Sequence, residues 1–393
     1  MGSDRTVAVF GAYGHTGRFV VAELRARGFR PVLVGRDPDK LKALAYGTEA
    51  HGTGGWGTED RAAGVHGTED RAAGAYGTED RAAGAYGTED RAAGAYGTAP
   101  DIRTASAGDP ASLDRALTGA AAVINCAGPF ATTAAPVIEA ALRAGIPYLD
   151  VAAEIEANLD TFAHYAERAH ESQALIVPAM AFFGGFGDLL ATAAMGDWTA
   201  ADEVHIAYGL SSWHPTAGTR TAGAVSRQRR GAGRRIRYTE GRLEHRDDAP
   251  PTLEWPFPEP LGPRTVIGEF TMADVVTVPS HLAVPEVRTY MTAEAARDLS
   301  SPDTPAPAAV DERGRSDQTF LVDVVVRSGG AERRAVARGQ DIYAVTAPLV
   351  VEAVERVLTG RTRAVGVASA GRMFDAPDFL RALSPHISVE LFT

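Results

Sequence analysis

Among 393 residues there is a single cysteine, Cys126. That excludes an internal disulfide and fits a reducing, cytoplasmic compartment. Long apolar runs are also missing. The most apolar stretch, Ala179 to Met195, is interrupted by Asp188 and several glycines and is too short to span a bilayer. No apolar segment follows a basic start, so no signal peptide is expected. Basic charge is in deficit, with 39 Lys and Arg against 50 Asp and Glu for a formal net charge of −11. A nucleic-acid partner would want the opposite balance. The histidines keep no ligand spacing with cysteine, so no metal site is expected. Nor is there a Tyr-x-x-x-Lys pair to mark a ready-made proton donor.

What is present is concentrated at the start. Val7 to Phe10 is a β-branched, apolar run that stops at Gly11, and Gly14 and Gly17 follow at three-residue steps. Phe19, Val20 and Leu24 then recur at helical spacing, with Gly28 as the expected C-cap. Gly11 permits the tight turn, Gly14 lets a pyrophosphate approach the backbone, and Gly17 lets helix and strand pack closely. A helix beginning near His15 presents free N–H groups and a partial positive charge to that phosphate. The next strand, Pro31 to Gly35, ends in Arg36, where an NAD site usually carries an acid for the ribose hydroxyls. A guanidinium there suits a 2′-phosphate, so NADP is the expected dinucleotide. Asp37-Pro38 reads as the N-cap and first residue of the following helix.

Residues 57–96 are four ten-residue units, Gly-Thr-Glu-Asp-Arg-Ala-Ala-Gly-(Val/Ala)-(His/Tyr). Each offers one sizeable apolar group, too little to offset about 1–2 kcal/mol of backbone entropy per residue. Segment 46–99 therefore reads as a mobile surface insertion. Beyond it come strands at Asp101 to Ser106, Ala120 to Asn125, Tyr148 to Val151 and Ala174 to Pro178. Helices separate them, over Asp109 to Leu117, Ala134 to Leu142 and Ala157 to Glu171. The alternation predicts a Rossmann-type doubly wound parallel sheet of about six strands. After Gly187 the pattern becomes that of an α+β domain with a mostly antiparallel sheet. Strands are expected at Glu203 to Leu210, Ile236 to Leu243, Thr265 to Phe270, Val275 to Val278 and Phe320 to Val326. A helix follows over Val345 to Leu358. The organisation expected is a dinucleotide domain over 1–190, a substrate and dimerisation domain over 191–342, and a helix and tail over 343–393 packing back on the first domain.

Four motifs carry a family resemblance. Gly-Ala-Tyr-Gly-His-Thr-Gly-Arg (11–18), Gly-Arg-Asp-Pro-Asp-Lys-Leu (35–41), Asn-Cys-Ala-Gly-Pro-Phe (125–130) and Tyr-Leu-Asp-Val-Ala-Ala-Glu (148–154) resemble the saccharopine dehydrogenase-like NADP-binding oxidoreductases. Relatives of that kind include saccharopine reductases and trans-acting enoyl reductases. The resemblance implies NADP(H) and hydride transfer but no single substrate. The reaction expected is at a C=N or conjugated C=C bond of a small metabolite, and the arginines between 227 and 237 add a coenzyme A ester or an acidic carrier protein as an option. The resemblance further implies that Gly11, Tyr13, Gly14, His15, Thr16 and Gly17 form the phosphate loop and that Arg36 reads the 2′-phosphate. Asn125, Cys126, Ala127, Gly128, Pro129 and Phe130 would then line the nicotinamide side. The chain departs from the pattern at Ser106, where relatives often have Asp, and at Ala152-Ala153-Glu154, which lacks a preceding glycine.

Candidates for proton transfer are Tyr148, Asp150 and Glu154, at the end of a strand where doubly wound sheets place ligands. The other reading is that Tyr148 fills core and Asp150 caps a helix. Asp188 reads equally as a helix cap. In the second domain His214 and His281 stand in expected loops, and imidazole is suited to proton transfer near neutrality. Arg227, Arg229, Arg230, Arg234, Arg235 and Arg237 form a cluster that either steers an anionic substrate or is a solvated helix end. A homodimer is expected through the second domain. A non-catalytic NADP-binding sensor or scaffold is the alternative to an enzyme.

Overall fold

The computed structural model describes residues 5–46, 100–231 and 234–392. The decapeptide repeats, and with them the expected insertion, lie outside the described residues. The first sheet is parallel throughout. It takes β1 (Thr6–Phe10), β2 (Arg30–Gly35), β3 (Asp101–Thr104), β4 (Ala122–Asn125), β5 (Tyr148–Asp150), β6 (Leu175–Val177) and β15 (Gly366–Val367) in the order β15-β6-β5-β4-β1-β2-β3. The chain reverses direction of travel across the sheet between β1 and β4, the crevice where such folds bind ligands.

Alternating side chains of the strands feed two separate cores. Val7, Val9, Leu33 and Ile124 meet Val20, Val21 and Leu24 of α1 (His15–Ala26) on one face. Ala8, Phe10, Val32, Val34 and Val123 meet α3 (Pro110–Leu117) and α4 (Phe130–Ala144) on the other. A parallel sheet buried on both faces has this pattern, which is why its strands read as nearly continuous apolar runs. α2 (Pro38–Tyr46) begins as expected, with the Asp37 carboxylate accepting the Asp39 and Lys40 amides at 3.0 and 3.1 Å. α3 is capped in the same way by Asp109 on Ser112. α5 (Ile155–Glu171) completes the layer.

The second sheet is mixed and mostly antiparallel. Its strands are β7 (Glu203–Leu210), β8 (Arg235–Thr239), β9 (Arg242–Arg246), β10 (Thr252–Pro256), β11 (Pro263–Gly268), β12 (Glu286–Thr292), β13 (Thr319–Ser328), β14 (Ala331–Gln340) and β16 (Ile387–Phe392). One face packs on α6 (Gly187–Met195) and α8 (Asp274–Thr277) and shares a continuous core with the first sheet. α9 (Ala293–Ser300) packs on β11 and β12, while α7 (Ala217–Arg230) packs on α4 and α5. The C-terminal segment returns through α10 (Thr346–Leu358), which lies on α1 with Arg27 and Glu352 ion-paired at 2.5 Å. α11 (Ala370–Met373) and α12 (Ala376–Ala382) pack on α6, and the chain ends in β16 of the second sheet.

Several expectations are corrected. Seven strands, not six, make the first sheet, because β15 arrives from the far end of the chain. Val275 to Val278 is not a strand. It belongs to the short helix α8, whose Asp274, Val275, Val276 and Thr277 are all buried. Ile236 to Leu243 is two strands, split by a turn at Glu240 and Gly241 where φ is +51° and +73°. α4 begins at Phe130, four residues earlier than the sequence pattern suggests, and carries Pro136 within it.

Candidate functional site

The glycine-rich turn has the geometry of a phosphate loop. Gly11 adopts φ +85°, and a β-carbon there would lie 2.9 Å from Ala127. A β-carbon on Gly17 would lie 2.2 Å from the Gly11 carbonyl oxygen, so helix and strand touch backbone to backbone. Gly14 is the N-cap of α1 and no side chain caps the helix. In the turn itself the Gly11 and Ala12 amides go to the Val34 carbonyl and the Gly14 amide to that of Gly11. The first amide of α1 with a backbone acceptor is Arg18, on the Gly14 carbonyl at 3.0 Å, so the helix amides before it are those of His15, Thr16 and Gly17. Those N–H groups are therefore left for an anion, as a pyrophosphate site requires.

Tyr13 lies flat on Gly35, where a β-carbon would meet its ring at 2.5 Å. Lys40 Nζ sits 5.9 Å from that ring's centre. Arg36 is exposed at the end of β2 beside them. Arg36 and Lys40 thus place two cations beside the Tyr13–Gly35 contact, Lys40 lying 3.9 Å from Asp37. Gly35 and Lys40 escaped the sequence reading, although Lys40 falls one helical turn after Arg36.

Asn125, Tyr148 and Asp150 form one buried network at the ends of β4 and β5. Asn125 Nδ2 donates to the Tyr148 hydroxyl at 3.2 Å, and that hydroxyl donates to Asp150 Oδ2 at 2.8 Å. Asp150 Oδ1 accepts the amides of Ala152 and Ala179 at 3.0 and 2.8 Å. Burial pushes the Asp150 carboxyl up, and those hydrogen bonds pull it back. Burial and the Asp150 charge lift the Tyr148 phenol far above its ordinary range. Asn125 Oδ1 holds the Ala127 amide at 3.0 Å, which fixes the turn Cys126–Phe130. Glu154 caps α4: its two oxygens accept the amides of Phe130 and Ala131 at 2.7 and 3.1 Å. Burial lifts its carboxyl too. Cys126 lies under the same turn, its thiol pushed up by burial. The structure thus gathers Tyr148, Asp150 and Glu154 beneath and beside the 125–130 turn, each engaged in holding backbone or Asn125.

His214 is elsewhere. It belongs to the loop Ser211–Thr216 of the second domain, and its carbonyl accepts from the Tyr343 hydroxyl at 3.4 Å. That hydroxyl also accepts from Trp213 Nε1 at 3.1 Å and shares a hydrogen bond with Thr219 at 3.0 Å. The ring of Tyr343 meets His15 edge-on at 5.2 Å, and Phe19 meets the imidazole edge-on at 5.4 Å. Burial lowers the His15 pKa, opposed by Asp341. The His15 imidazole is thus packed edge-on between Phe19 of its own helix and Tyr343. Over the 125–130 turn lies α7, with Ala222 3.9 Å from where a β-carbon on Gly128 would be.

The arginine cluster is largely neutralised. Arg229 pairs with Asp160, Arg230 with Glu156, Arg235 with Asp248 and Glu269, and Arg237 with Glu244 and Glu269. These pairs pin α7 to α5 and fasten β8, so they supply structure rather than free positive charge. A second polar cluster, which the sequence did not assemble, lies between the sheets. Asp188 meets His281 Nε2 at 2.7 Å and accepts the Gly371 amide, while Asp274 accepts from the Tyr208 hydroxyl at 2.9 Å. A cavity of about 330 Å³ lined by Pro258, Glu332, Arg334, Val336 and Phe392 opens on the second sheet, away from the crevice of the first.

The fold and the uncapped glycine turn define a class, a Rossmann-type dinucleotide-binding protein with an α+β partner domain. Residues 85–177 match the family model of the saccharopine dehydrogenase NADP binding domain. The matched residues begin inside the 46–99 insertion, take in β3 to β6 and do not include the glycine turn. A relative described as a probable mitochondrial saccharopine dehydrogenase-like oxidoreductase of Arabidopsis thaliana is 41% identical over 81 residues. That match spans 21% of this chain and 18% of the relative. The solved structure of apo saccharopine dehydrogenase (L-Glu forming) from Saccharomyces cerevisiae is similar in fold, with a TM-score of 0.59 over 99% of this chain and 100% of that one, at 10% identity. The resemblance holds by sequence over 85–177, which contains the 125–130 and 148–154 motifs, and by fold along the chain, while the 11–18 and 35–41 motifs lie outside the matched residues. NADP is the cofactor of the matched domain. Among the described residues no helix is long and apolar enough to cross a membrane.

Proposed function

We propose that this protein is an NADP(H)-dependent oxidoreductase acting on a C=N or conjugated C=C bond of a small metabolite, free or carried as an acyl thioester. The observation that carries the reading is the uncapped start of α1 behind Gly11, Gly14 and Gly17, with Arg36 and Lys40 beside it. NADPH bound there supplies the hydride. The residues of this chain bind and orient: the α1 amides take the pyrophosphate, and Arg36 takes the 2′-phosphate. The Cys126–Phe130 turn, fixed by Asn125 and Glu154, walls the reacting end, and α7 excludes water above it. Tyr148, Asp150 and Glu154 serve as the frame of that wall, since each is spent on a hydrogen bond inside the protein. His214 is the remaining candidate among the four to pass a proton to substrate. We place the protein in the cytoplasm, supported by its lone cysteine, as a homodimer through the second domain.

The test is NADPH oxidation followed at its absorbance maximum against a panel of cyclic imines and enoyl thioesters. Turnover with one class that is lost in Arg36→Ala at low NADPH supports the reading. A second reading is a non-catalytic NADP-binding sensor, favoured by the absence of a free proton donor in the 148–154 segment. Tight NADPH binding with no turnover across the panel would select it.

A further inference from the structure

Tyr343 stands where the cofactor loop, the second domain and α7 meet. Its loop is fixed by Asp341, which adopts φ +59° and is fully buried. Asp341 Oδ1 accepts the Tyr343 and Ala344 amides at 2.9 and 3.0 Å, and Oδ2 accepts the Ser316 amide at 2.7 Å. The phenol is thereby presented in one orientation. Its ring touches His15, the first residue of α1 and part of the phosphate loop. Its hydroxyl binds Trp213 Nε1, Thr219 Oγ1 and, at 3.4 Å, the Thr216 amide. Thr216 is the N-cap of α7 and accepts the Thr219 amide at 3.0 Å. Trp213 in turn stacks on Phe183 at 5.0 Å.

The two halves of α7 are held differently. Its C-terminal half is anchored to α5 by Arg230 on Glu156, Arg229 on Asp160 and Ser226 on Glu156. Its first turn is gathered around the Tyr343 hydroxyl, and Ala222 between them overhangs Gly128. The Tyr343 ring on His15 and its hydroxyl on Trp213, Thr216 and Thr219 make one continuous path from the glycine-rich loop to the part of α7 above Gly128. A close-packed aromatic contact transmits a displacement that empty space would absorb.

We propose that Tyr343 is a positioning residue that couples occupancy of the glycine-rich loop to the seating of the first turns of α7 over Gly128, a role that rests on the dinucleotide site proposed above. Tyr343→Phe keeps the ring on His15 and removes the hydroxyl. His15→Ala does the reverse, leaving the hydroxyl network intact. The experiment is amide hydrogen exchange over 216–223 in the intact chain, for wild type and both variants, without nucleotide and with saturating NADPH.

In wild type, NADPH slows exchange in this segment by about tenfold. In Tyr343→Phe the free protein exchanges faster there and NADPH brings no slowing, while NADPH affinity stays within about threefold. In His15→Ala the free protein exchanges like wild type and the slowing is again lost at saturation. Slowing retained in both variants overturns the coupling. A titration in which wild type binds no NADPH overturns the dinucleotide site itself, a failure read before any exchange is measured.

Discussion

Gly17 leaves no room for a side chain against Gly11: a β-carbon at position 17 would stand 2.2 Å from the Gly11 carbonyl oxygen and 2.9 Å from that of Ala12. Both neighbours are backbone, so neither can rotate aside. Gly17→Ala must push α1 off β1 and move the amides aimed at the pyrophosphate. The expected outcome is a loss of about 1–3 kcal/mol in stability and a fall in NADPH affinity of at least about tenfold. Denaturant titration and calorimetry on the same preparation check both. Gly28 is the control: it has φ +75° but open space around it, so Gly28→Ala costs only about 1 kcal/mol and leaves binding unchanged.

Tyr148→Phe tests whether this phenol is structural. The substitution leaves Asp150 Oδ2 without its donor and Asn125 Nδ2 without one acceptor in a fully buried network. Leaving such groups unpaired costs about 1–3 kcal/mol each. A lower melting temperature with little change in turnover is expected once the protein is folded. An undiminished melting temperature together with loss of turnover would make Tyr148 a proton donor instead.

Asp274 gives the stability a pH dependence. It is fully buried, and burial first, then the Asp188 charge, push its carboxyl up to about 7. The Tyr208 hydroxyl at 2.9 Å pulls the other way without offsetting burial. In the unfolded chain an aspartate ionises near 3.9. Below that value both states hold the proton and stability is complete. As pH rises from about 4 to about 7 the unfolded chain gives up its proton first, so stability falls, by about 4 kcal/mol in all. Above about 7 the loss is complete and the curve is flat with respect to this group. Asp274→Asn should remove that slope. Melting temperatures of the two proteins that stay parallel from pH 4 to 8 would contradict it.

Glu154→Gln should weaken the start of α4, since a carboxylate accepting two first-turn amides is replaced by a neutral amide with one acceptor oxygen. Loss of the capping charge costs about 0.5–2 kcal/mol. The 126–130 turn rests on that helix start, so NADPH should bind more weakly by a smaller factor than in Gly17→Ala. Thermal unfolding with and without NADPH separates the two effects.

Sequence and structure agree best where local pattern and tertiary role coincide. Val7 to Phe10 and Ala122 to Asn125 are buried on both faces, so their apolar runs announce strands directly. The glycine turn is legible because each glycine answers a backbone constraint. β14 is not legible: Ala331–Gln340 carries Arg333, Arg334 and Arg338, which pair with Asp197, Asp323 and Glu390. Asp323 is on the neighbouring strand, but Asp197 and Glu390 are remote in sequence, so the strand reads as a charged loop. Val275 to Val278 misleads in the opposite way. Its β-branched residues favour a strand, yet they are packed into α8 between the two sheets, and tertiary burial overrides propensity. β15 is two residues long and has no period to detect. Tyr343 and Trp213 stand 130 positions apart, and only the folded chain brings them together and sets the Tyr343 ring on His15.

The measurement that bears most directly on the central claim is calorimetric titration with NADPH and NADH, on wild type and on Arg36→Ala. The account predicts tight NADPH binding, poor NADH binding, and a loss of about 10- to 100-fold in NADPH affinity in the variant, the worth of a charge-assisted contact to phosphate. Binding of neither nucleotide by wild type, or NADPH binding indifferent to Arg36, would contradict it.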